Sequence, residues 1–328
     1  MSNSIVRAVA APGARRGFAA CAALALGAAT LAAAGALAFP TAAHAGGSPE
    51  GWASMNGGTT GGAAGPTVTV SGADALVDAM ESDGPLTIQV SGSIELSGMN
   101  DVTSDKTVVG LGSTAEITGG GLNISEAHNV IVQNIAFSDW GDDAVNVQRG
   151  STNVWIDHNS FTNGYDGAID VKRESDFVTV SWNHIYDHSK SMLLGHDDDH
   201  TADRGHLRVS YHHNFFDGSD QRHPRVRYGD PVHVYNNYYR DVSAYGVAST
   251  MDAGVLVECN YFENVENPTH VGYADSDPGR IEARGNVLVD SGPLETAGSV
   301  DDPPYPYVLD DCARVPQIVS AGAGPGNI

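Results

Sequence analysis

The chain has 328 residues, with 17 lysines and arginines against 40 aspartates and glutamates and a formal charge of −23. That length supports a sizeable core in one or two domains. The charge argues against nucleic acid or anionic lipid as partners, because both need basic patches that displace their counterions, and an acidic ligand would need a local basic cleft.

Taken in order, Arg7, Arg15 and Arg16 precede an Ala-rich apolar run from Phe18 to Phe39, and Ala43-His44-Ala45 supplies a small-residue cleavage site. Residues 1–45 therefore read as an export signal. The Arg15-Arg16 pair leaves the twin-arginine and general routes both open. No other apolar run approaches membrane-spanning length, so the mature protein is expected to be secreted, with no membrane partner once the signal is gone. Cys21 falls in the signal; Cys259 and Cys312 remain, enough for one disulfide in an exported protein, and their pairing stays open.

Residues 46–65, rich in glycine and poor in apolar groups, read as a flexible leader. Thr67-Val68-Thr69-Val70 is a short strand. Ala73, Leu76, Val77 and Met80 then fall at helical spacing within residues 73–83, before Gly84-Pro85 ends the helix. Strands are expected at 86–90, 93–96 and 107–109.

From about residue 110 the sequence repeats. Alternating apolar strands end in an asparagine followed by further apolar residues, at Asn134, Asn159, Asn183, Asn214, Asn237, Asn260 and Asn286. The interval is roughly 25 residues, with no room for helices, which fits a solenoid whose coils each add one strand to several parallel sheets. Asparagine suits the bends because it tolerates left-handed backbone angles, and stacked amides can form a hydrogen-bonded ladder. The expectation for residues 66–328 is an all-β parallel β-helix, with the short helix capping one end and the tail from Pro303 covering the other. A propeller needs a longer repeat, and a β-sandwich shows no fixed period.

In a solenoid, residues at one offset from the ladder asparagine line one flank. Asp143, Asp166, Lys190 and Arg222 share nearly the same offset, and Gly167 permits a bend that brings Asp170 to the same place. Three carboxylates on neighbouring coils repel one another unless a cation joins them, and an all-oxygen ligand set favours Ca²⁺. The longer interval between Asn183 and Asn214 implies an inserted loop beside this face, holding His196-Asp197-Asp198-Asp199-His200, which reads as a solvated loop. The strand histidines His158, His184, His212, His213 and His233 read as packing or ladder residues.

At these residues the sequence resembles the pectate lyases of polysaccharide lyase family 1. The likeness covers most of the chain after Gly110. It rests on Trp155-Ile156-Asp157-His158, Asp166 to Asp170 (DGAID), residues 178–183 (VTVSWN), the Asp187-His188-Ser189 before Lys190, and the R-x-P-x-x-R of Arg222, Pro224 and Arg227. The resemblance implies a right-handed single-stranded parallel β-helix, a Ca²⁺ cofactor, and eliminative cleavage of polygalacturonate (pectate); no interface signal for an oligomer stands out in the sequence, so a monomer is expected. The resemblance also implies calcium carboxylates at Asp143, Asp166 and Asp170, substrate binding at Lys190 and Arg227, and a proton-abstracting base at Arg222. Arginine is normally too basic for that task, and calcium, Lys190 and Arg227 nearby would disfavour its charged form. The related pectin lyases lack the calcium acids and the lysine, so their presence here favours the pectate branch. A polygalacturonase-type glycoside hydrolase on the same fold would release reducing sugars without an unsaturated product, and a non-catalytic carbohydrate-binding solenoid would bind without cleavage.

Overall fold

The computed structural model describes residues 47–328. The export signal expected over residues 1–45 lies outside the described residues.

Each repeat supplies short strands whose alternate apolar side chains point into a continuous interior. Val154, Val178, Val209 and Val232 are fully buried and occupy successive strands of one sheet. Identical side-chain directions on neighbouring strands keep the buried rows in register, since a one-residue slip would turn every apolar group outward. Two parallel sheets result, one of 10 strands and one of 15. The second is continuous because Glu116–Ser125 serves two faces, pairing with Ala136–Ser138 through its first half and with Val145–Gln148 through its second. This is the expected parallel β-helix.

The asparagine ladder runs from Asn159 through Asn183, Asn214, Asn237 and Asn260 to Asn286, each side-chain amide donating to the next side-chain carbonyl at 2.9–3.1 Å. Asn134 stands outside it, donating to the carbonyls of Gly110 and Gly112 instead. The left-handed backbone also falls differently from expectation. Along the ladder it is the preceding residue that takes positive φ, as at His158, Trp182, His213 and Asn236. The asparagines are free of that duty because their buried amides already satisfy the backbone of the bend.

The helix Ala73–Glu81 buries Leu76 and Met80 in the core. The tail does not cover the far end. Its helix Val315–Gly322 packs Val315 and Val319 against Phe215 and Tyr238 on the flank, and Gly326 N–H reaches Asn134 Oδ1, so the tail runs back along the solenoid. Cys259 and Cys312 are disulfide-bonded and pin it there.

The expectation of a flexible leader is overturned by the same kind of strapping. Trp52 and Ala53 are buried, their amides donating to Ser210 Oγ and Thr179 Oγ1. Ala53 packs with Ile131 and Trp155. Glycine is used here for close approach: a Cβ on Gly62 would lie 2.0 Å from the Leu86 carbonyl oxygen. Among the described residues no helix is long and apolar enough to cross a membrane.

Candidate active site

Four neighbouring strands of the larger sheet carry the site: Val145–Gln148, Ile169–Val171, Met192–Leu194 and Arg225–Arg227. Ile169 and Val171 are buried in the core, so the strand's alternation turns Asp170 to the outer face. Asp143 and Asp166 lie in the turns that feed these strands.

The turns converge. Gly167 N–H donates to Asp143 Oδ1 at 3.0 Å. A Cβ on Gly167 would stand 2.2 Å from Asp170 Oδ1 and 2.9 Å from Asp143 Oδ1, so only glycine leaves room for both carboxylates. Asp166 faces the next coils: its Oδ1 lies 3.2 Å from Lys190 Nζ and 3.6 Å from Arg222 Nη1. Beneath Lys190, buried His188 bonds the Lys190 carbonyl through Nε2. Asp143, Asp166, Asp170, Lys190 and Arg222 therefore gather on one flank.

Lys172 was not anticipated. Its ammonium stands 3.0 Å from Asp143 and 3.7 Å from Asp170, between these two buried acids. Burial raises the pKa of Asp170 to about 7, with the charge of Asp143 adding to the effect and Lys172 opposing it. Burial likewise raises Asp143 above the usual carboxylate range despite Lys172. Burial works against the Lys172 charge, but Asp170 and Asp143 outweigh it and raise its pKa. Its signal was visible, two residues after Asp170 and hence on the same face of the strand.

Arg227 shares the outer face of its strand but contacts a different acid. Its Nε lies 2.6 Å from Asp198 Oδ1, in the inserted loop. The loop is thus built rather than merely solvated. Fully buried Asp203 accepts from the amides of His196 and Glu174, and His200 lies 3.2 Å from Glu174. No periodicity fixes a loop's path, so Asp198 could not be assigned from sequence.

The site fits a divalent cation. Asp143 and Asp170 converge, Asp166 is adjacent, and one buried acceptor atom, Asn146 Oδ1, has no hydrogen-bond donor. Asn146 is the register partner of Asp170 on the neighbouring strand. An all-oxygen set of this kind suits Ca²⁺ rather than a softer metal. Arg222 has φ of 66°, a left-handed conformation that is costly for a residue with a Cβ, and its buried Nε has no partner.

A parallel β-helix with acids and bases gathered on one outer flank is the class that the fold and site define. The pectate lyase family model matches residues 24–289. A pectate trisaccharide-lyase of Bacillus licheniformis is 37% identical over 85% of this chain and 86% of its own, and pectate lyase plyB of Emericella nidulans is 38% identical over 84% and 85%. Among solved structures, pectate lyase Bsp165PelA from Bacillus sp. N165, in complex with trigalacturonate, superposes with a TM-score of 0.79 at 33% identity, covering 85% of this chain and 99% of that one. Pectate lyase II from Xanthomonas campestris gives 0.75 at 26% identity, covering 85% and 98%. The chain belongs to the pectate lyase family and is a lyase acting on polysaccharides.

Proposed function

We propose that the protein is an exported, monomeric, calcium-dependent lyase that cleaves α-1,4-linked polygalacturonate by β-elimination. The observation that carries this reading is the convergence of Asp143 and Asp170 on Gly167, with Asp166, Lys190 and Arg222 on the adjoining coils. Export is supported by the basic and apolar N-terminal pattern.

Asp143, Asp166 and Asp170 would hold calcium, which when bound supplies positive charge against the carboxylate beside the reacting carbon. Lys190 binds that carboxylate and orients the ring. Arg222 takes the C5 proton; the electron pair of the C5–H bond forms the C4–C5 double bond, and the C4–O bond breaks. The departing oxygen takes a proton from solvent. Arg227, held by Asp198, binds the carboxylate from the other side. Cations fixed before reaction, where negative charge develops, lower the barrier without reorganisation.

Arg222→Lys tests the assignment of the base. Turnover should fall by at least about 10³-fold, on the scale of losing a proton-transfer group, while calcium and oligogalacturonate binding measured by calorimetry stay within about threefold. A variant that retains turnover would move the base elsewhere.

A further inference from the structure

The R-x-P-x-x-R motif contains a third arginine to which no role has yet been given. Arg225 alternates with core residue Val226, so it projects from the outer face beside Arg227. Through Leu193 it stands in register with Asp170, two strands away or roughly 10 Å. Arg222 and Arg227 each have a carboxylate partner, Asp166 and Asp198. Among the described residues Arg225 has no ion pair.

Its surroundings hold it in place without neutralising it. One terminal nitrogen donates to Ser276 Oγ at 2.8 Å, and Ser276 in turn donates to Asp198 Oδ2 at 2.6 Å. The guanidinium lies over the Tyr273 ring at 5.4 Å, and Tyr273 packs on Tyr245. The Arg225 Nε and the Tyr245 hydroxyl are both buried without a hydrogen-bond partner. A half-buried guanidinium that no carboxylate neutralises, beside an aromatic face, matches an anionic sugar better than it matches water.

We infer that Arg225, with Tyr273, forms an additional subsite that binds the carboxylate of a second galacturonate, beyond the sugar that reacts. Burial and the charge of Arg227 both press against the protonated form of Arg225, a cost that an incoming carboxylate relieves. The inserted loop has a part in this, since Asp198 fixes Arg227 directly and Arg225 through Ser276. The inference rests on the proposed action on polygalacturonate.

Steady-state kinetics on polygalacturonate at saturating calcium test it. Arg225→Gln should raise KM roughly tenfold, the order of one charge-assisted hydrogen bond, and leave kcat within about twofold. Arg225→Lys, which keeps the charge, should recover at least about half of that loss on a logarithmic scale. Unchanged KM overturns the subsite. So does a fall in kcat at constant KM, which would mean that Arg225 acts only by bracing Ser276 and Asp198. Should the wild-type protein make no unsaturated product, the proposed reaction fails on its own account. Trigalacturonate binding by calorimetry then decides the subsite: Arg225→Gln must weaken it by the same factor, and equal affinity overturns it.

Discussion

Lys172 occupies the place where a cation is needed. With the ammonium removed, Asp143 and Asp170 would face each other uncompensated in a buried setting, so Lys172→Met should lower calcium-free stability by about 3 kcal/mol. The same change should strengthen calcium binding roughly tenfold, because two carboxylates would no longer share their charge with an internal amine. Unaltered affinity by calorimetry would show that lysine and ion do not compete. His223 carries a separate expectation. It is fully buried between Ser219 and the Tyr245 carbonyl, and burial lowers its pKa to about 4. Between pH 6.5 and 4 the unfolded chain then binds a proton that the folded chain refuses, so stability falls as pH drops through that window, by up to about 3 kcal/mol. Relative to His223→Asn, the wild-type protein should lose its melting-temperature advantage between those pH values. A constant gap would mean that His223 is protonated in the fold. Asp166 and Arg222 were legible because spacing sets their flank, and Asp170 because Gly167 permits a bend, whereas Arg227 came from the family resemblance alone. Lys172 was legible too, but its role depends on reach between two acids rather than on offset.

At the scale of elements, the ladder and the strap behave oppositely with respect to what sequence reveals. The asparagines repeat, so the ladder was readable from spacing, although the left-handed residue proved to be the one before each rung. Asn214→Ala should cost about 3 kcal/mol in urea unfolding, since it strands the Asn183 backbone amide, the Asn183 side-chain amide and the Val180 carbonyl in a buried place. A loss under about 0.5 kcal/mol would mean that water replaces the rung. The segment around Trp52 has no repeat and few apolar groups, and composition marked it as flexible. Its glycines instead let backbone lie against backbone, a use that composition cannot distinguish from looseness. Trp52→Ala should destabilise by about 3 kcal/mol, as truncation of a buried aromatic does. Unchanged stability would restore the reading of a loose leader.

Over the whole molecule, an acidic chain concentrates cations on one flank of a solenoid. The repeat places successive coils about 4.8 Å apart, close enough for side chains from neighbouring strands to converge on one flank. What the repeat could not reveal is how those side chains pair. Arg227 is held by Asp198 because an inserted loop folds over the outer face, and that path depends on buried Asp203 and on local turns rather than on any period. The reaction proposed for this flank is calcium-assisted elimination. Incubation with polygalacturonate while ultraviolet absorbance is followed tests it most directly. Absorbance should rise steadily from the new C4–C5 double bond, stop when a chelator is added and resume with excess calcium. New reducing ends without absorbance, or a rise indifferent to the chelator, would contradict it.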